Sequence, residues 1–501
     1  PALFRWMMRV LKKPFNGLVF TTFMPVFGVT RRSLQFTFLF VSIFVVTSLA
    51  SAELRIPASL KDVQLSFAPV VEQAAPAVVN VYATRRVKAR RPSLFNDRFF
   101  EEFFGKSFGD NFGQRERLEN SLGSGVIVSA EGIVVTNNHV ISGAEAFKVV
   151  LSDRREFSAE LLLADERTDL AVLKILDAEE QFPALPFRNS DTVSVGDFVL
   201  AIGNPFGVGQ TVTNGIVSAL ARTSVGVTDF QSFIQTDAPI NPGNSGGALV
   251  TMDGRLLGVN TAIYTRSGGS VGIGFAIPSN MVQQVVDAAL SDGRIVRPWA
   301  GVELQKVSQS LAQTLGLAKP VGALIVKLHP NSPFRKAGIK SGDVVATFNG
   351  KEILEPENFR YRLAVAGVGA RATIGYLRQG NRKTASVKLV SPPDTPPRNE
   401  TTLTGQHIFN AVKVSNLNPA VVEEMGQTFK LSLEEKGVII LSVDKRTRAA
   451  RVGLRPGDII LAINRTEIKN VAGLVGLLEK PSEQWNLELR RAGRIIRTSI
   501  R

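Results

Sequence analysis

The C-terminal part of this chain contains a repeat. Residues 322–353 and 437–468 align without a gap at a constant offset of 115, and 338–343 (GIKSGD) matches 453–458 (GLRPGD). Solenoid repeats recur at periods of roughly 20–50 residues, so this spacing indicates two separate domains of one fold. The sequence predicts these domains at 299–390 and 405–501. Between them lies the linker 391–404, whose proline-rich start (SPPDTPP) can form neither a helix nor a central strand.

The region before the repeat is predicted to be an all-β barrel or sandwich. At 501 residues the chain is too long for one hydrophobic core. Short β-rich runs alternate with Gly, Asn and Asp turns, and a helix over 279–290 follows them, with Ser279 or Asn280 as its cap. The predicted strands are 77–82, 125–129, 133–136, 147–151, 170–175 and 198–202. A basic and Phe-rich stretch at 85–119 interrupts the pattern and is predicted to be a functional or mobile loop.

Residues 1–52 are predicted to be an export segment. Arg31 and Arg32 precede an apolar stretch at 36–46, and residues 50–52 (ASA) form a small-residue cleavage pattern. The apolar stretch is shorter than the ~20 residues of a membrane span. A cleaved signal is therefore favoured over a retained anchor, with Met24 as its expected start and the sequence before Met24 as an over-extended N-terminus.

Composition excludes several classes of site. The chain has no cysteine, which excludes disulfides, Cys-based zinc sites and thiol nucleophiles. The net charge is +15, but no run of five like charges occurs after residue 52. A solvated surface is therefore favoured over a nucleic-acid site, and weak attraction to anionic membranes is left open.

One of the three histidines, His139, lies in the β-rich region. It occurs in 135–140 (VTNNHV), directly after a predicted strand, where a rigid scaffold can present a side chain to solvent. A histidine base requires a carboxylate that fixes its tautomer. Asp169, at the start of an apolar strand, is the candidate, and Asp165 is the alternative. His329 and His407, in the repeat region, are interpreted as structural.

Residues 241–247 (NPGNSGG) surround Ser245 with three glycines and a proline. The glycines allow a tight turn in which the N–H groups of Gly243 and Ser245 can converge on one point, as an oxyanion hole requires. A Gly-rich hairpin turn would also explain an isolated segment of this kind. The order His, Asp, Ser within one β-domain, however, is the order of chymotrypsin-type enzymes.

Together these segments resemble the HtrA/Deg (protease Do) family of serine proteases. The resemblance runs from about residue 66 to the end and rests on 136–140 (TNNHV), 169–174 (DLAVLK), 201–207 (AIGNPFG), 243–247 (GNSGG) and 272–278 (GIGFAIP). It implies a mainly β fold, in which a chymotrypsin/trypsin-like double β-barrel protease domain at 53–295 precedes two α+β PDZ domains. The Phe-rich stretch would be the regulatory loop of the family, and an amphipathic helix packed on its own domain is the alternative interpretation of its phenylalanines.

The resemblance also implies the roles of the site residues. Ser245 would be the nucleophile, His139 the acid/base and Asp169 its orienting carboxylate, and the oxyanion hole would consist of Gly243, Asn244 and Ser245. Ile263 at the base of the specificity pocket would favour small aliphatic side chains, and the pocket would be lined by Thr261, Ala262, Ile263, Tyr264 and Thr265. A peptide carboxylate would bind the first PDZ domain at Trp299, Ala300, Gly301 and Val302. The equivalent stretch of the second, 408–412, has no glycine, which indicates an assembly or spacer domain.

The function implied is ATP-independent degradation of unfolded proteins in the periplasm, without a metal or other cofactor. The chain contains no Gly-x-x-x-x-Gly-Lys-[Ser/Thr] loop for ATP. The implied partners are unfolded polypeptides, C-terminal peptides and further copies of the chain, as a homotrimer or a larger cage. A chaperone with weak proteolysis is the alternative, and two repeats disfavour a membrane-anchored stress sensor.

Overall fold

The computed structural model describes residues 66–87, 117–177, 180–204, 209–222, 232–241, 243–263, 272–480, 482 and 484–500. The predicted export segment and most of the Phe-rich loop, 88–116, lie outside these residues. Within the described ranges no helix is long and apolar enough to cross a membrane.

Two closed six-stranded β-barrels follow helix α1 (Ala68–Ala74). The first contains β1 (Val78–Val87), β2 (Arg117–Ser129), β3 (Ile133–Thr136), β4 (Ala146–Val150), β5 (Glu156–Asp165) and β6 (Leu170–Ile175). The second contains β7 (Phe198–Gly203), β8 (Thr211–Arg222), β9 (Phe233–Thr236), β10 (Ala248–Thr251), β11 (Leu256–Ile263) and β12 (Gly274–Pro278). Their strand orders are β1-β2-β3-β6-β5-β4 and β10-β11-β12-β9-β8-β7. Valine, leucine and isoleucine fill both interiors, because β-branched and aliphatic side chains suit a pleated, buried surface.

The short helices of this region are α2 (Asn138–Ile141) and the 3₁₀ turns Ala75–Ala77 and Ser190–Thr192. Helix α3 (Ser279–Leu290) follows the second barrel and has the predicted bounds. Its predicted cap is wrong, because the N-cap is Pro278 and no side chain caps the helix. The Ser279 hydroxyl instead donates to the carbonyl of Arg188, and the Asn280 amide oxygen accepts from the N–H of Ser190.

The predicted strands are present, and the first two are longer than predicted. β1 continues to Val87 and β2 begins at Arg117, and these two residues are paired across the strands. Residues 85–87 and 117–119, which were predicted to be loop, are therefore strand. The antiparallel register between the two strands is unbroken, so the backbone groups of these residues are paired within the same ladder as the rest of the strands.

Two mixed α+β domains follow the barrels. The first contains β13 (Val302–Lys306), α4 (Gln309–Thr314), β14 (Ala323–Leu328), α5 (Pro333–Lys336), β15 (Val344–Phe348), β16 (Lys351–Glu352), α6 (Pro356–Ala366), β17 (Arg371–Arg378) and β18 (Asn381–Lys388). The second contains β19 (Thr401–Thr402), β20 (Val412–Asn416), α7 (Pro419–Phe429), β21 (Val438–Val443), α8 (Arg448–Arg451), β22 (Ile459–Ile463), β23 (Thr466–Glu467), α9 (Val471–Leu478), β24 (Trp485–Arg491) and β25 (Arg494–Ile500). Each has one antiparallel sheet, of order β13-β14-β15-β17-β18 and β19-β20-β21-β22-β24-β25.

The repeated Gly-Asp motif has the same role in both domains. Asp343 is buried and binds Arg378 through both carboxylate oxygens, at 2.7 and 2.6 Å. Asp458 is buried and binds Arg491 in the same bidentate way. Because a buried carboxylate must be paired, this ion pair explains why the aspartate recurs in the repeat.

Helix α6 of the first α+β domain packs against α3. Tyr361 and Ala364 lie in one buried cluster with Met281 and Val285. Burial raises the pKa of the Tyr361 phenol to about 12. This apolar contact attaches the first α+β domain to the barrel domain.

Candidate active site

His139 and Asp169 lie side by side at the ends of two paired strands. β3 ends at Thr136, three residues before His139, and β6 begins at Leu170, next to Asp169. Their antiparallel pairing brings the two side chains together, with His139 Nδ1 2.7 Å from Asp169 Oδ2 and 2.9 Å from Oδ1. The backbone N–H of His139 also donates to Asp169 Oδ1 at 3.0 Å. The carboxylate thus holds the proton on Nδ1 and leaves Nε2 as the basic nitrogen.

The backbone of Asp169 is in the left-handed region, with φ of 57°. Two hydrogen bonds to its carbonyl oxygen hold it there, from the Asn137 amide side chain at 2.9 Å and from the Asn138 N–H at 3.1 Å. Asp165, the alternative partner of His139, instead forms an ion pair with Arg297 and accepts from the Thr168 hydroxyl. The structure therefore brings Asp169, and not Asp165, to His139.

Thr261 has a contact that the sequence did not indicate. Its hydroxyl donates to Asp169 Oδ2 at 2.7 Å, and its carbonyl accepts from the Ser245 hydroxyl at 3.1 Å. Thr261 is thus in contact with both the carboxylate and the serine, in addition to its predicted place in the specificity pocket. No sequence spacing could have shown this, since Thr261 is 92 residues from Asp169 and the two meet only when both barrels are formed.

Ser245 lies in a turn that requires glycine at the next position. Gly246 has φ of 84°, and a Cβ there would lie 2.1 Å from the Ser124 carbonyl oxygen. The Gly246 N–H donates to the Asn260 carbonyl at 2.8 Å, which ties the turn to β11. Any larger residue would push the serine away from the first barrel.

The predicted oxyanion residues Gly243, Asn244 and Ser245 lie in one turn, in which the Asn244 N–H donates to the Asn241 carbonyl at 3.0 Å. Among the described residues, no acceptor pairs with the N–H of Gly243 or of Ser245. The Gly243 carbonyl, in contrast, accepts from the Ser124 hydroxyl at 2.5 Å, and Ser124 Oγ accepts from the Asn204 N–H at 2.8 Å. Ser124 thereby fixes the orientation of the peptide group between Gly243 and Asn244, which lies between the two N–H groups. The sequence did not indicate this role.

The predicted specificity-pocket residues are only partly described. Thr261 is buried in β11, and Ala262 and Ile263 end that strand, paired with Phe275 and Gly274 of β12. Tyr264 and Thr265 lie outside the described residues. In the described part of the chain, no group of three or more His, Asp or Glu side chains could hold a metal ion.

The predicted carboxylate loop precedes the edge strand β13. The Trp299 ring is buried and meets the His329 ring edge-on, 5.2 Å between centroids. Gly301 has φ of 60°, and its carbonyl accepts from the His329 N–H at 2.9 Å. The Ala300 carbonyl accepts from the Ser332 hydroxyl at 2.6 Å, and Val302 begins the strand. The carbonyl groups of Ala300 and Gly301 are therefore both hydrogen-bonded to the segment 329–332.

Known protein families match three parts of the chain. Residues 123–259 match the trypsin-like peptidase domain, and 298–389 and 439–491 each match the PDZ domain. The periplasmic serine endoprotease DegP of Salmonella typhimurium is 37% identical over 444 residues, which cover 85% of this chain and 90% of that protein. The chain belongs to the HtrA/Deg family.

A second curated relative and a solved structure are also similar to this chain. A probable periplasmic serine endoprotease, DegP-like, of Chlamydia muridarum is 37% identical over 452 residues, which cover 87% of this chain and 88% of that one. A solved structure of the HtrA-type protease AlgW with a decapeptide covers 66% of this chain and 100% of that chain, at 43% identity and a TM-score of 0.49. This member of the HtrA/Deg family is a periplasmic serine endopeptidase, and the predicted fold class, two barrels followed by PDZ domains, is confirmed.

Proposed function

We propose that the chain cleaves unfolded polypeptides through a triad of Ser245, His139 and Asp169. The observation that carries this proposal is the 2.7 Å contact between His139 Nδ1 and Asp169 Oδ2, beside a serine turn in which the Gly243 and Ser245 N–H groups have no acceptor among the described residues. Asp169 keeps the proton on Nδ1, so Nε2 can accept the Ser245 proton as Oγ attacks the scissile carbonyl carbon. The Ser245 hydroxyl, which donates to Thr261 here, must turn toward Nε2 for this step.

The attack forms a tetrahedral intermediate whose oxyanion lies against the N–H groups of Gly243 and Ser245. Each preorganised donor of this kind contributes roughly 3–4 kcal/mol to transition-state stabilisation. The intermediate collapses when Nε2–H gives its proton to the leaving amine, and the C–N bond breaks. Water then attacks the acyl-enzyme in the same way, releases the acid and restores Ser245. No step uses ATP or a metal ion.

Extended chains are the substrate class that both types of domain favour. A chymotrypsin-type cleft and a PDZ edge strand each bind a peptide as an added strand. In the first PDZ domain, Gly301 and Val302 would offer N–H groups to a C-terminal carboxylate, and β13 would pair with the rest of the peptide. Assembly into a homotrimer or a larger cage is proposed on the family resemblance.

Digestion of unfolded casein without ATP tests the catalytic proposal. We expect cleavage by the parent chain and by Ser194→Ala, an exposed serine on a turn before β7, and a loss of several orders of magnitude for Ser245→Ala. Full activity of Ser245→Ala, or a requirement for ATP, would refute the proposal.

Calorimetry on the Ser245→Ala chain tests the peptide site of the first PDZ domain. A peptide with an apolar C-terminal residue should bind about 1.5–3 kcal/mol more tightly as the free acid than as the amide, the worth of a hydrogen bond to a charged group. Equal affinities would show that this groove does not bind a carboxylate. Deletion of 299–390 is the poorer test, because it would expose the apolar surface of α3 that packs against Tyr361 and Ala364.

A further inference from the structure

The second PDZ domain keeps the loop shape of the first although it lacks the glycine. β13 begins at Val302 and β20 at Val412, and each strand follows a residue in the left-handed region, Gly301 and Ala411, both with φ of 60°. The Asn410 and Val412 N–H groups donate within the loop, to the carbonyls of His407 and Phe409 at 3.2 and 3.1 Å, so the Ala411 N–H is the donor next to β20 that contacts the linker. The absence of glycine at 408–412, which predicted a spacer domain, does not remove this loop conformation.

A short strand of the chain itself lies on the edge of β20. β19 pairs antiparallel with it, Thr401 with Val414 and Thr402 with Lys413. In the first PDZ domain the corresponding edge of β13 carries no strand among the described residues. The interdomain linker thus occupies the sheet edge to which a peptide ligand would be added.

Leu403 has the contacts expected of the last residue of a bound peptide. Its N–H donates to the Val412 carbonyl at 2.9 Å, which continues the ladder to the first residue of β20. Its carbonyl oxygen accepts from the Ala411 N–H at 2.8 Å, so it occupies the position at which the loop would hold a carboxylate oxygen.

The Leu403 side chain fills an apolar pocket between the loop and helix α9. It is 3% exposed and shares one buried cluster with Ile408 and Phe409 of the loop and with Leu474 and Leu478 of α9. The pocket therefore accommodates an aliphatic side chain the size of leucine.

The chain leaves the groove immediately after Leu403. Gly405 has φ of 140°, and its N–H donates to the Asn410 side-chain oxygen at 3.1 Å. Leucine is therefore the last linker residue that follows the path of a ligand, at the position where a free peptide would end.

We propose that the second PDZ domain has a binding site for a polypeptide C-terminus that ends in leucine or a similar aliphatic residue, and that linker residues Thr401, Thr402 and Leu403 fill this site as an internal ligand. An internal ligand competes at an effective concentration on the order of millimolar. An external C-terminus gains access by displacing β19, which has only two residues, and it offers a charged carboxylate where Leu403 offers a neutral carbonyl. The proposal does not depend on the catalytic roles, and its test uses the Ser245→Ala chain so that no peptide is digested.

Hydrogen exchange on the full Ser245→Ala chain can locate the binding. The probe is an octapeptide with the sequence of residues 396–403 (PPRNETTL) and a free carboxylate, with its amide as the comparison. Leu403→Ala should weaken the binding of the internal ligand. The peptide with a free carboxylate should therefore slow exchange at 408–416 and 471–478 of this variant at a peptide concentration at least ten-fold lower than in the parent. The amidated peptide should require a concentration at least ten-fold higher than the free acid for the same protection. Ile495→Ala, an exposed apolar residue of the same domain, is the matched control and should behave as the parent does.

Three results would overturn the proposal. They are equal peptide concentrations for half-saturation of the parent and Leu403→Ala, equal binding of acid and amide at 408–416, or protection confined to 299–306 and 356–366 of the first PDZ domain.

A disulfide keeps the proposal testable if Leu403→Ala unfolds the second PDZ domain. Thr402 and Lys413 are direct cross-strand partners, whose usual Cα separation of ~4.5–5.5 Å suits a disulfide, and the chain has no other cysteine. Thr402→Cys combined with Lys413→Cys should block saturating peptide from 408–416 when oxidised and admit it when reduced. Equal protection in the two redox states would also overturn the proposal.

Discussion

Arg297 and Asp165 form a buried ion pair between the segment after α3 and the last residue of β5, from which a short loop leads to Asp169. Their side chains are 12% and 7% exposed, and the Thr168 hydroxyl also donates to Asp165. In the same loop, the Arg167 guanidinium donates to the Glu423 carbonyl of helix α7 at 3.3 Å. The loop that positions Asp169 is thus held both by the interdomain segment and by the second PDZ domain.

Arg297→Met should destabilise the protein by about 3–5 kcal/mol, because it leaves Asp165 buried without its cation. We also expect a lower kcat on a short chromogenic peptide, since the same loop carries the carboxylate of the proposed triad. Urea denaturation and kinetics on the full chain measure the two effects. Lys148→Met is the matched control: its pair with Glu156 is 54% and 57% exposed, so solvent screens it and its loss should leave the stability nearly unchanged. Equal costs for the two variants would contradict a supporting role for Arg297.

Thr261→Val should lower kcat by about 10–100-fold, because it removes a hydrogen bond to the Asp169 carboxylate worth about 1.5–3 kcal/mol. Valine has nearly the same shape as threonine, so the packing of β11 should be kept. Thr261→Ser retains the hydroxyl and should keep most of the activity. The readout is kcat on a short peptide, with hydrogen exchange of β11 as the control for folding. Similar activities of the valine and serine variants would show that the hydroxyl does not act through Asp169.

The strands and the position of Asp169 could be predicted from the sequence because their signals are local. A strand such as Leu170–Ile175 is an apolar run, interrupted by Lys174 alone, next to a polar turn, and both of its ends match the prediction. The N-cap of α3 could not be predicted, since Ser279 and Asn280 are recruited by residues about 90 positions earlier in the chain.

The missed contacts of the site have the same physical origin. Ser124 contacts Gly243 from 119 residues away and was not predicted at all, whereas Thr261 was predicted in the specificity pocket but not as a partner of Asp169, 92 residues away. Ala411 shows the opposite error. A glycine pattern was expected to be required for the carboxylate loop, but an alanine adopts the same left-handed conformation. Sequence patterns report preferences of single residues, whereas these contacts depend on the packed barrels and on the β19–β20 ladder.

Ser245→Ala and His139→Ala should each lower turnover by several orders of magnitude, and the double variant should be scarcely worse than either. Residues that act as one unit are not additive, because removal of either partner already abolishes the shared proton transfer. Single-turnover cleavage of a chromogenic peptide measures all three variants, with thermal unfolding as the control for folding. Losses that multiply in the double variant would show that the two residues do not work together.

The stability of the second PDZ domain should fall on acidification through His407. Burial lowers the pKa of this imidazole, and its Nδ1 is buried without a hydrogen-bond partner among the described residues. Below a pH of about 6.5 the unfolded chain takes up a proton that the folded domain resists. The unfolded state then binds more protons than the folded state. The part of the folding stability that depends on a neutral His407 is therefore complete at pH 7.5 and decreases as the pH falls from about 6.5 toward the lowered pKa. Burial also lowers the pKa of His329 in the first PDZ domain, so the measurement must be local.

Hydrogen exchange of β21 and β22 measures the effect of His407 on the stability of this domain. The parent and His407→Gln are compared at pH 7.5 and 5.5, after correction for the intrinsic exchange rates. The parent should lose more protection than the variant between the two pH values, because glutamine takes up no proton. His329→Gln is the matched control and should leave the pH dependence of β21 and β22 unchanged. An equal loss in the parent and in His407→Gln would show that another group causes the acid sensitivity. Greater protection of the parent at pH 5.5 would mean that the folded domain favours the imidazolium, which is opposite to the direction that burial imposes.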